Sequence, residues 1–87
     1  MENKNKNNII KKQKFKVGDR VIVDHLNKDN LTSDEIIKEK GILMEIDSYY
    51  VLVRFDKEYE WMHGYRFGRE HSGHCWFLSK SEIKKVK

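Results

Sequence analysis

Residues 58–76, EYEWMHGYRFGREHSGHCW, concentrate the side chains with chemical reach. They hold three of the four histidines, both tryptophans, the single cysteine and two of the four arginines, with Tyr59, Tyr65 and Phe67 between them. Aromatic residues and arginine dominate binding hot spots, and the same side chains can stack on nucleic-acid bases. A long irregular segment in a small domain is often where recognition groups are displayed from a rigid scaffold. The candidate binding residues are therefore Trp61, His63, Tyr65, Arg66, Arg69, His71, His74 and Trp76. A second arrangement stays open, in which these aromatics fold back as a small core closing one end of the sheet. Trp76 and Phe77 are adjacent, so one of them is expected to face inward.

The same segment invites tests for metal and catalytic chemistry. His63, His71, His74 and Cys75 offer nitrogen and sulfur donors of the kind zinc takes. Their spacing lacks the paired knuckle of a structural zinc site. Neighbouring His74 and Cys75 on a strand would point to opposite faces, which makes joint ligation awkward. No metal set and no cofactor is assigned. A Cys75 nucleophile paired with His63 or His71 would need an activated, exposed thiolate and an oxyanion hole, which no residue pattern signals. Glu58 and Glu60 alternate on one face without a further feature that makes them an acid/base pair. Gly64, Gly68 and Gly73 are spaced for turns and not for cradling phosphate. The expectation is a non-enzyme with no catalytic residue.

The rest of the chain must position this segment. Its 87 residues, 38% hydrophobic and 37% charged, provide for one small core. A large multilayer enzyme fold is excluded. No run approaches the ~20 apolar residues of a membrane helix, and the polar N-terminal residues lack the apolar stretch of a secretory signal. One cysteine excludes an internal disulfide framework and suits a reducing, cytoplasmic setting.

Net charge is +4, but its distribution is uneven. Residues 1–16 carry six lysines against Glu2, and residues 80–87 carry four lysines against Glu82. Residues 17–79 hold eight Lys/Arg against twelve Asp/Glu, a balance of −4. The positive excess thus sits in the ends, and the body is a poor phosphate-binding surface unless its arginines cluster. Residues 1–14, rich in Asn and Lys, read as a flexible basic arm, because they bury too little to offset their ordering entropy.

Strand signals begin at Phe15. FKVGDRVIV combines a Gly-Asp turn with alternation through Val23. Thr32-Ser33-Asp34-Glu35 reads as a capping box opening a short helix within 32–40, with the Thr32 hydroxyl as cap and Glu35 reaching back. GILMEID and YYVLVRFD form a hairpin about Asp47-Ser48, with Ile42, Met44 and Ile46 sharing one face of the first strand and Val51, Val53 and Phe55 sharing one face of the second. Residues 57–72 form the long loop. GHCWFL is a further strand, with Cys75 and Phe77 opposite Trp76 and Leu78. Ser79–Glu82 is a turn or a single helical turn, and Ile83–Val86 a last short strand. Five short strands with one inserted helix predict a mainly β fold, a small antiparallel barrel over 15–87.

Phe15-Lys16-Val17-Gly18-Asp19-Arg20-Val21, Gly41-Ile42-Leu43, Val51-Leu52-Val53-Arg54-Phe55-Asp56 and the closing Leu78, Ile83 and Val86 together resemble the SH3-like barrel family, including its KOW and Tudor variants. The likeness leaves out the 26–40 insertion and the 57–72 loop. It implies a five-stranded barrel and, through KOW and Tudor precedent, a binding role. His63, Gly64, Gly68 and Gly73-His74-Cys75-Trp76 also resemble small bacteriophage and prophage proteins. That likeness implies an origin and no chemistry.

The leading expectation is a non-catalytic module that binds and modulates a host protein through the aromatic, Arg- and His-rich loop. The alternative is nucleic-acid binding through the lysine-rich ends. A third possibility, capture of a small anionic ligand between Trp61, Tyr65, Arg66 and Arg69, ranks below both.

Overall fold

The computed structural model describes residues 14–63 and 72–86. The basic arm expected at 1–14 therefore lies, Lys14 apart, outside the described residues.

Five strands form one antiparallel sheet: β1 (Arg20–Val23), β2 (Lys40–Ile46), β3 (Tyr50–Phe55), β4 (Cys75–Ser79) and β5 (Ile83–Lys85). Their spatial order is β4-β3-β2-β1-β5. The order is linear, so the expected closed barrel is not formed; β4 and β5 are the two edges. Yet only Lys80–Glu82, a single 3₁₀ turn, separates the end of β4 from the start of β5. The four steps from Ser79 to Ile83 span roughly 13–14 Å at full extension. The sheet must curl until its opposite edges nearly meet.

Curling gives one concave face, and the core lies there. Val21, Val23, Leu43, Val51, Val53, Phe55, Leu78 and Ile83 pack together with Ile36, Tyr59 and Met62. Val51, Val53 and Phe55 share the core face of β3 as expected and are fully buried, while Leu52 between them is buried on the other face. Trp76 pairs with Val53 and Leu78 with Val51, which puts both on the core face, while Cys75 and Phe77 lie on the other.

The expected face of β2 is not the one observed. Leu43 is fully buried, whereas Ile42 is exposed. The register shifts between Leu43, opposite Val53, and Glu45, opposite Leu52. Met44 is thus an extra residue in the ladder, and beyond this bulge Ile46 packs against the core. Leu43 and Ile46, three apart, both face inward because the strict period of two is broken between them. Gly41 is needed for a different reason. A Cβ there would lie 2.4 Å from the Arg54 carbonyl oxygen, so only glycine lets β2 approach β3 so closely.

The inserted helix expected within 32–40 is instead one 3₁₀ turn, Asp34–Ile36, and its cap is Ser33 rather than Thr32. Strand pairing resumes immediately afterwards: Lys38 N–H donates to the Val23 carbonyl and Val23 N–H to that of Glu39. A second helical turn would forfeit both bonds. Ile36, completely buried, anchors the insertion to the core.

The far end of the insertion is fixed by Glu82, the one buried charged residue among those described. Its carboxylate accepts from the Asn27 N–H (2.7 Å), from Asn30 Nδ2 (3.0 and 3.1 Å) and from the Ser79 N–H (2.8 Å). A buried carboxylate is tolerated when donors replace its lost water in this way. No helix among the described residues is long and apolar enough to cross a membrane.

Candidate functional site

After β3 the chain doubles back along the edge strand. Tyr59 N–H donates to the Gly73 carbonyl at 2.7 Å, and His63 exchanges both backbone bonds with Cys75, at 3.1 and 2.8 Å. A turn closed by Met62 N–H on the Tyr59 carbonyl lies between them. These anchors hold four rings in series. Tyr59 meets Trp61 at a centroid distance of 5.4 Å, Trp61 meets Trp76 edge-on at 4.8 Å, and His63 stacks on Trp76 at 6.0 Å. Phe55, on β3, roots the series in the core by its edge-to-face contact with Tyr59.

Both indoles are half-buried and tethered. Trp61 Nε1 donates to Glu35 Oε2 at 3.1 Å, and Trp76 Nε1 donates to Thr32 Oγ1 at 2.9 Å. This explains the altered helix cap. Thr32 is taken by an indole, and Glu35 accepts from Trp61 and from the Ser33 hydroxyl instead of reaching back along its own turn. The insertion and the aromatic segment are one structural unit.

Beside the rings lies an open groove of about 510 Å³, lined by Glu35, Lys57, Glu58, Tyr59, Glu60 and Trp61. Three carboxylates face one ammonium there. Lys57 Nζ stands 5.3 Å from the centroid of the Tyr59 ring, a cation over an aromatic face. The Tyr59 hydroxyl is buried and makes no hydrogen bond among the described residues. Burial, with Glu39 and Glu35 nearby, pushes its ionisation above the ordinary phenol value. A smaller notch of about 370 Å³, lined by Asn30, Tyr50, Phe77, Leu78 and Ser79, lies on another part of the surface.

Of the candidate residues, the structure brings Trp61, His63 and Trp76 together. His74 does different work. It is half-buried, and its Nδ1 donates to the Phe55 carbonyl at 2.8 Å, so the proton sits on Nδ1 because a carbonyl can only accept. Tyr65, Arg66, Arg69 and His71 lie outside the described residues. Among the described residues no three His, Cys, Asp or Glu side chains group to hold a metal ion. Cys75 is fully buried, and burial pushes its thiol up, away from the thiolate a nucleophile requires.

Three contributors escaped sequence reasoning. By their local sequence Thr32 and Glu35 are helix-capping residues and Tyr59 is one more loop aromatic. The acid-aromatic alternation Glu58-Tyr59-Glu60-Trp61 was visible, and it is the segment that lines the groove. Comparison with protein-family models, with curated proteins and with solved structures finds no match for this chain.

Proposed function

We propose that this chain is a non-catalytic protein-binding module that engages its partner through the ring surface of Trp61, His63 and Trp76, backed by the buried Tyr59. The observation that supports this most is the double tether of the indoles to Glu35 and Thr32. Both large rings are held in place before any partner arrives, so little side-chain freedom remains to be lost on binding. Aromatic surface that is half-exposed yet rigid is what interface anchors require. The curled five-stranded sheet is read as an SH3-like barrel variant. The likeness to small bacteriophage proteins directs the partner search to host proteins.

Nucleic-acid binding through the lysine-rich ends is less well supported. Lys84 and Lys85 are engaged by Asp24 and Asp19, at 3.2 and 3.5 Å. Three of the six residues lining the groove beside the rings are carboxylates, which repel phosphate.

The test is affinity capture from cell lysate with the wild-type chain and with Trp61→Ala, each first shown to be folded. The reading expects one or more proteins retained by the wild type and lost with the variant. Identical capture by both would overturn it.

A further inference from the structure

We infer that the groove beside Trp61 takes an arginine side chain carried on an exposed segment of the partner protein; this assignment rests on the protein-binding reading above. Three features of the groove point to a guanidinium. Its lining is charged against an anion and for a cation, with Glu35, Glu58 and Glu60 facing a single Lys57. Its floor is aromatic, and one ring already carries a cation, Lys57 Nζ at 5.3 Å from the Tyr59 centroid. One of its lining residues, Tyr59, carries a hydroxyl that is buried and without a hydrogen-bond partner among the described residues.

Arginine matches this combination better than lysine. Its planar head stacks on an indole or phenol face while its fork pairs with a carboxylate in two parallel bonds. A lysine ammonium is a point charge and strongly hydrated, so it would gain from the carboxylates but little from the rings. Lys57 occupies the Tyr59 face as an internal competitor. Its removal should open that face to the incoming side chain, an effect opposite in sign to loss of a structural contact.

The probe is an octapeptide alternating glycine and arginine, with a control in which citrulline, uncharged and nearly isosteric, replaces every arginine. Binding is followed by tryptophan fluorescence and calorimetry at low salt. The arginine peptide is expected to bind at least about tenfold more tightly than the citrulline peptide. The double variant Glu58→Gln/Glu60→Gln should weaken it about tenfold, and Lys57→Ala should strengthen it severalfold. All three altered side chains belong to exposed residues, and an unchanged far-UV spectrum and thermal midpoint would show that the variants fold. Equal affinity for arginine and citrulline peptides, or no binding of either, overturns the inference. So does weaker binding by Lys57→Ala. Lysate capture that depends on Trp61 but is not competed by the arginine peptide would sink the groove assignment and leave the module standing. Capture indifferent to Trp61→Ala would sink the module itself.

Discussion

Trp61 donates its indole N–H to Glu35 across 26 residues of sequence, at 3.1 Å. The bond ties the aromatic segment after β3 to the 3₁₀ turn between β1 and β2. Glu35→Ala is expected to free the indole, to shift its fluorescence to the red, and to cost about 0.5–1.5 kcal/mol of stability. Equilibrium urea unfolding followed at the tryptophan emission maximum measures both. An unchanged emission maximum would mean that the tether does not hold the ring in solution.

Gly41 sets the spacing of β2 and β3. Gly41→Ala places a methyl 2.4 Å from the Arg54 carbonyl and 2.7 Å from a Val53 methyl, both parts of the sheet that cannot swing aside. Overpacking of this kind costs roughly 1–3 kcal/mol, a loss readable as a lowered thermal midpoint. A variant as stable as the parent would show that the two strands lie further apart than described.

Glu82 is the next point of failure. Glu82→Gln keeps the shape but turns one carboxylate oxygen into a donor, facing donors from Asn27, Asn30 and Ser79. An unmade buried bond costs about 1–3 kcal/mol. Hydrogen exchange should show the Asn27 and Ser79 amides losing protection before those of β3. Uniform loss across the sheet would show that Glu82 does not act locally.

The dependence of stability on pH follows from two opposite shifts. The hydrogen bond to Asp24 raises the His25 imidazole above its ordinary value, Nδ1 lying 2.9 Å from the carboxylate. That contribution is complete below the unfolded pKa of about 6.5 and is lost as pH rises through the higher folded value. Asp24, held down by His25 and Lys84, Asp19, held down by the Lys16 amide, and Asp56, held down by Arg20, behave conversely. Their contribution is complete above about pH 4 and fades as pH falls through their lowered values. Stability should therefore peak between about pH 4.5 and 6.5 and decline on both sides. His25 and Asp56 are exposed and Asp19 and Asp24 half-buried, so screening by solvent should keep the changes small. His25→Gln should remove the alkaline decline. A slope between pH 6 and 8 unchanged by the variant would place its origin elsewhere.

Cys75 should be silent towards thiol reagents. It is completely buried on the sheet face opposite the core and its thiol is pushed up. Its modification rate should follow the rate of opening of β4 and rise to that of a free thiol only in denaturant. Rapid labelling of the native protein would show that the edge strand opens readily.

How much of this was legible beforehand differs from residue to residue. Val51, Val53 and Phe55 announced β3, because a regular alternation needs only local information. The inward face of β2 is not legible in the sequence, because the bulge at Met44 is a property of the pairing with β3 and leaves no mark in Ile42, Met44 or Ile46 themselves. The helix after Thr32 was overestimated for a similar reason: the cap residues are claimed by Trp61 and Trp76, partners that a local reading does not connect. The indoles were legible as candidate site residues by type alone. Their orientation was not, since it depends on Thr32 and Glu35. Closure of the barrel was expected because five strands suffice for it, whereas the strand order stops short with β4 and β5 unpaired to each other.

The pairing of β1 with β5 sets Val21 opposite Lys85. On the ribosome, β1 therefore emerges long before the strand that will flank it, and its open side must wait while nearly the whole sheet is synthesised. Strands β1 to β4 can pair in chain order, but the final seam forms only once β5 is available. A truncated chain ending at Glu82 lacks β5 and should consequently be protease-sensitive at β1, and extension through Val86 should convert it to the resistant form.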